Sequence, residues 1–276
     1  MTAAPETDEL WPDVGIDPVK LALPGGVVGY TLRAYRPAGE VVPTEAAPDD
    51  EAEDPFAARE RARTAEKAGG LGDTKIEYLH DPEARGEGPD RAGVAEEAGV
   101  PEEIEEEEGG DTVDEEEVPL FLSHRSRLLL FGSPESLVEF VRSGGEHDLR
   151  QLDDWPAVVK RVLPSDVAPG DDDTYELDLV VENLRGGPDA WDMPLLISAG
   201  EIARDLGYAL RLGPVITAMA PGSPLDDLDE ALRATAAGGV GSMFARRRLR
   251  RIGAQQASLG WRTVIGKIAA AVDWHD

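Results

Sequence analysis

Alternation of apolar and polar residues marks the first ordered elements of the chain. In Val19-Lys20-Leu21-Ala22-Leu23, the residues Val19, Leu21 and Leu23 share one face of an extended backbone, the pattern of a half-buried strand. Pro24-Gly25-Gly26 joins a residue of fixed φ to two that tolerate positive φ, and predicts a turn. Val27–Tyr35 then reads as a second strand, with Val28, Tyr30 and Leu32 on one face. The same pattern returns in Val118–Leu122 and Arg127–Phe131, joined by the polar turn Ser123–Ser126. Pro119, which has no N–H to give to a ladder, points to an edge position for the first of these strands. A lone hairpin is marginal in water, so the two are expected to pair into one antiparallel sheet. Pro134–Ser143 is expected to be a helix over one face of it, through Leu137, Val138, Phe140 and Val141. Ser133 is its N-cap and Pro134 its N1 residue. Ser136 stands at N3 where Glu or Gln would complete a capping box, so no box is expected.

Beyond Gly144-Gly145 the period lengthens and helices follow. One is expected from Asp154-Trp155-Pro156 to about Leu163. A second, Tyr175–Leu184, is capped by Asp171–Asp173, although the alternation of Leu177, Leu179 and Val181 keeps a strand as the alternative. A longer helix runs from Asp192 and Pro194 to about Leu212 with Leu195, Ala199, Ile202 and Leu206 inward, and Gly213-Pro214 stops it. Pro224–Ala237 is acidic in its first turn, as the helix dipole favours. The fold class expected is α+β: a small antiparallel sheet from two hairpins, a mainly helical C-terminal half, and a long disordered acidic insertion.

Charge supplies that insertion. Residues 38–117 hold 28 acidic and 7 basic residues, most of the net charge of -29. Rich in Pro, Gly, Ala and Glu and nearly free of aromatics, the segment buries too little apolar area to offset its ordering entropy. The organisation expected is therefore residues 1–37 as the N-terminal hairpin, with residues 1–13 loose, then 38–117 as a disordered insertion, and 118–276 as an α+β and helical domain. Long insertions cost little, since closure entropy grows logarithmically with length. The chain has no cysteine, hence no disulfide framework and no thiolate metal site. The acidic start is unlike a signal peptide and no apolar run approaches the roughly 20 residues a membrane span needs, so a cytoplasmic protein is expected.

Catalytic chemistry finds little support. His80, His124, His147 and His275 form no i, i+4 pair, and His124 sits in a polar turn. Asp171–Asp173 lacks the spacing of a calcium loop, with Tyr175 in the fifth place. Gly260–Lys267 departs from a phosphate-binding loop in spacing, and Ile268 stands where Ser or Thr would hold magnesium. No cofactor, metal or catalytic residue is expected, and an enzyme is the least favoured class.

The C-terminal end stands apart from the acidic average. From Arg233 to Val272 there are eight basic residues and no acidic one. Arg246, Arg247, Arg248, Arg250 and Arg251 cluster after Gly238-Gly239-Val240-Gly241-Ser242, which is either a hinge or an anion-binding helix start. Trp261, Val264, Ile265, Ile268 and Val272 then form an amphipathic stripe. Three readings compete: a core-docking helix with solvated or internally paired arginines, a nucleic-acid contact, and an anionic-lipid contact with Phe244 and Trp261 inserted. A protein partner is expected, and the acidic insertion is a candidate intramolecular competitor for the arginines.

The segments VPLFLSHRSRLLLFGSPESLVEFV, YELDLVVENLRGGPDAWD and RRRLRRIGAQQASLGWRTVIGKIAAAVDW resemble an actinobacterial family labelled "primosomal protein". The resemblance spans Val118–Asp276 and the N-terminal hairpin, and implies a link to replication restart. The function expected is that of a non-enzymatic interaction or regulatory protein working at DNA through Arg246–Arg251, or alternatively at a membrane or cell-envelope surface through the same helix.

Overall fold

The computed structural model describes residues 10–42 and 116–276. By internal contacts the chain divides into residues 1–48 with 111–276, and residues 49–110; the second unit lies outside the described residues, as does most of the expected acidic insertion.

The two hairpins form one sheet, as their patterns require. β1 (Ile16–Leu23) and β2 (Val27–Pro37) pair antiparallel along their length, from Leu23↔Val27 at the turn to Ile16↔Ala34. The far side of β2 is shared. β3 (Glu117–Phe121) takes its C-terminal half, and β5 (Arg127–Phe131) meets it at Tyr30↔Phe131. β4 (Ser123–His124) folds back on β5 through Arg125 and Ser126, both at positive φ. β3 pairs on one side only, which suits Pro119.

Two further strands depart from the all-antiparallel expectation. β6 (Thr174–Glu176) adds in parallel to β1, and β7 (Val272–His275) adds in parallel to β5. β7 takes Val272 out of the expected helical stripe. β6 shortens the expected helix at Tyr175, which starts two residues later as α4 (Leu177–Arg185).

Both faces of the sheet are covered, so β5 is apolar on both. Leu128 and Leu130 join Val19, Leu21 and Leu23 on one face; Leu129 and Phe131 join Ile16, Leu32 and Leu122 on the other. The second face carries α1 (Leu10–Val14), α2 (Pro134–Ser143) and α3 (Trp155–Arg161). Residues 10–13, expected to be loose, are thus helical, with Leu10 and Val14 buried. α2 does have a capping box: Ser133 Oγ accepts from Ser136 N at 3.1 Å, and Ser136 Oγ accepts from Ser133 N at 3.2 Å. A serine hydroxyl replaces the usual longer carboxylate because the two residues lie close enough for it to reach.

The first face carries the helical half: α4, α5 (Met193–Ala209), α6 (Gly213–Ala218), α7 (Pro224–Ala236) and α9 (Ala254–Ala270). α5 ends at Ala209, ahead of the expected stop, with Arg211 at positive φ, and Gly213-Pro214 instead opens α6, with Pro214 in the first turn where its missing N–H costs nothing. Trp261, Val264, Ile265 and Ile268 of α9 are buried in this core, at about 1.5–3 kcal/mol of transfer free energy each. Between α7 and α9 lies α8 (Gly239–Leu249), which holds most of the arginine cluster.

The edges of the expected insertion are ordered. Ala38–Glu40 forms a short 3-10 turn, and the Ala38 amide donates to the Glu116 carbonyl at 2.9 Å. The chain therefore leaves and re-enters the sheet at adjacent points.

Candidate interaction surface on helix α8

α8 follows a corner at Gly238 and Gly239, both at positive φ (73° and 74°), a conformation that glycine adopts without a Cβ penalty. The corner folds α8 back against α7. Ala245 and Leu249, one turn apart, are buried and fix which side of α8 faces the protein.

That orientation sorts the arginines. Arg248 lies against α7, where Nη2 donates to Asp227 at 2.5 Å and Nη1 to Glu230 at 3.1 Å. Arg250 is 3.5 Å from Asp189, an exposed pair of small energetic weight. Arg246, Arg247 and Arg251 are exposed and have no ion-pair partner among the described residues. Met243 and Phe244 are 75 % and 72 % exposed, large apolar side chains held out of the core. Met243 and Arg247, spaced i, i+4 on α8, place an apolar and a cationic group in one row, and Arg251 follows in the turn beyond the helix. The expected contact residues are thus divided: two are engaged within the protein and three project outward.

A cavity of about 250 Å³ opens at the C-terminal end of α8, where Arg246, Leu249 and Arg250 meet residues 188–193 and Thr235. Trp191 and Leu249 form its floor, and Met193, Arg246 and Arg250 its rim. The Trp191 indole N–H donates to the Leu184 carbonyl at 2.9 Å, which satisfies its polar atom and fixes the ring.

A second polar centre escaped the sequence reading. On β2, Arg33 is 7 % exposed; Nη1 donates to Tyr175 Oη at 2.8 Å and Nη2 to Asp173 at 2.8 Å. Tyr35 Oη donates to Asp205 of α5 at 2.6 Å. Burial raises the pKa of the Asp205 carboxyl above its ordinary range, against the hydrogen bonds from Tyr35 and Arg33, which lower it. Arg204 and Arg233 bridge Asp226, Asp229 and Glu201 nearby. Each cation has a carboxylate partner, so this network ties β2 and β6 to α5 and α7. The signal was present: Thr31, Arg33 and Tyr35 alternate along one face of an otherwise apolar strand. It also reassigns Asp173, which holds Arg33 rather than capping a helix.

The other candidates are placed as follows. His124 ends β4, and His275 stacks on Phe131 with ring centroids 5.0 Å apart. His147 is buried edge-on to Trp155, and its pKa is lowered to about 4 by burial and by Arg150 and His124. His80 lies outside the described residues. Gly260–Lys267 lies within α9 and forms no loop. Among the described residues no group of three or more His, Cys, Asp or Glu is placed to hold a metal, and no helix is long and apolar enough to cross a membrane.

No curated protein matches the chain. Among solved structures it is similar to the crystal structure of the SatS C-terminal domain in complex with bromine. The two share 19 % identity, with a TM-score of 0.57 over 97 % of this chain and 98 % of that one, a likeness of fold. The SatS C-terminal domain family matches residues 112–269, more than half of the sequence and including α8, and the chain belongs to that family.

Proposed function

We propose that the protein is a non-enzymatic interaction protein that docks an anionic partner on α8. One observation carries this reading: Arg246, Arg247 and Arg251 stand without an ion-pair partner among the described residues, in a chain of 56 acidic and 27 basic residues. Carboxylates outnumber cations among the described residues too, so a shortage of them there does not account for three guanidinium groups without an ion-pair partner among those residues. Arg248, held by Asp227 and Glu230, illustrates how such a group takes paired oxygens.

The cytoplasm is the proposed setting, on the sequence grounds of a cysteine-free chain. The acidic tract is proposed as a tethered competitor for the same arginines, at an effective concentration set by chain length. The replication link implied by the primosomal resemblance belongs to the nucleic-acid arm of the test below.

The test is binding of the full chain to labelled duplex DNA, to an acidic peptide and to vesicles containing anionic lipid, across a salt series. At least one should bind, and Arg246→Glu/Arg247→Glu/Arg251→Glu should weaken it by about tenfold or more. For DNA, each arginine lost should reduce the salt slope by about one. Replacing residues 43–115 with a short linker, which the Ala38–Glu116 contact allows, should strengthen binding at low salt. Equal binding by the wild type and the triple variant, or no binding to any of the three, would contradict the reading.

A further inference from the structure

The cavity beside α8 narrows the kind of partner. Phosphate binding needs cations and little else, whereas here the cations border a recess whose lining includes Pro188, Trp191, Met193 and Leu249. Trp191 and Leu249 line its floor and are 7 % and 5 % exposed, and Met193 stands at its mouth. Arg246 and Arg250, one helical turn apart, flank it. The recess is about 250 Å³, of the order needed for one large apolar side chain. Away from the arginines its polar donors are engaged: the Trp191 N–H is bonded to Leu184, and Thr235 Oγ1 donates to the Ala231 carbonyl. An apolar occupant therefore displaces water without stranding a donor. Asp189, 3.5 Å from Arg250, shows a carboxylate held at this rim by a weak and exposed pair. Met243 and Phe244, outside the recess, are exposed apolar side chains of the same helix.

We propose that this recess is an anchor site for an acidic polypeptide segment carrying one large aliphatic or aromatic residue. That side chain would enter over Trp191 and Leu249, and the flanking carboxylates would meet Arg246 and Arg250, displacing Asp189. The inference rests on the reading of α8 as an anionic docking surface, and adds that the occupant is polypeptide and amphipathic.

The test uses the full chain and three labelled peptides of equal length: leucine flanked by glutamates, the same peptide with alanine for leucine, and glutamates alone. Duplex DNA is the fourth probe. The leucine peptide should bind about tenfold or more tighter than the alanine peptide. Arg246→Gln/Arg250→Gln should weaken every acidic peptide. Met193→Glu, which introduces a carboxylate at the mouth of the recess in the first turn of α5 where the helix dipole favours it, should abolish the preference for leucine. If the leucine, alanine and glutamate peptides or DNA bind equally while the arginine variant still weakens them, the anchor site is overturned and the anionic surface stands. If no probe binds, both fail. The comparison between peptides leaves the protein unaltered, so the outcome does not depend on how a variant folds.

Discussion

Arg248 of α8 spans Asp227 and Glu230 of α7, at 2.5 Å and 3.1 Å, so one member of the arginine cluster serves the fold. Its side chain is 46 % exposed, and solvent screens such a pair to about 0–1 kcal/mol. Arg248→Ala should lower the urea midpoint only slightly and leave binding to an anionic partner within about twofold, whereas Arg247→Ala should weaken binding and leave the midpoint unchanged. Isothermal titration and urea unfolding of the two variants separate these outcomes.

Gly29 lies beneath the indole of Trp274. A Cβ added there would fall 2.7 Å from Leu130 Cγ and 2.9 Å from both Trp274 Cζ3 and the Phe131 carbonyl oxygen. Two of these neighbours belong to β5 and one to β7, so the clash pries apart a strand junction. Gly29→Ala should destabilise the protein by about 1–3 kcal/mol, read from chemical unfolding.

His147 makes stability depend on pH. Its ring is buried against Trp155 and Phe140, and Nδ1 has no hydrogen-bond partner among the described residues. The folded pKa is lowered to about 4, from 6.5 in an unfolded chain. The unfolded state therefore binds the proton first as pH falls, and stability is lost between about pH 6.5 and pH 4. The loss is on the order of 3 kcal/mol. It is absent above this window, where both states are neutral at this ring. His147→Gln should flatten that part of the stability profile measured by urea titration at successive pH values.

Arg33 is the cation between Asp173 and Asp205, with its side chain 9 % exposed. Arg33→Met keeps most of the volume but leaves two carboxylates facing each other, partly buried. Destabilisation on the order of 3 kcal/mol is expected at neutral pH. The deficit should shrink in acid as the carboxylates protonate, a trend opposite to that of His147. Unfolding curves of wild type and variant at two pH values test it.

The sequence made legible what depends on near neighbours. The hairpins follow from alternation at Val19–Leu23 and from the Pro24–Gly26 turn, and α9 follows from the stripe Trp261–Ile268. Elements set by distant partners were not legible. β6 has three residues and β7 four; each is a strand only because β1 or β5 offers an open edge more than a hundred residues away in sequence. The arginine run itself was plain, but its division into paired and free members was not. That division depends on Ala245 and Leu249 turning one side of α8 onto α7, where Asp227 and Glu230 wait for Arg248. Trp191 joins the site from a loop some sixty residues upstream, a juxtaposition only the fold creates.

Hydrogen exchange of the full chain with and without an acidic, leucine-bearing peptide tests the central claim most directly. Slower exchange should be confined to residues 239–253 of α8 and its exit and to residues 188–193, with the Arg33 network unchanged. Protection that spares α8 and falls on the Arg33–Asp205 groove or elsewhere would contradict it.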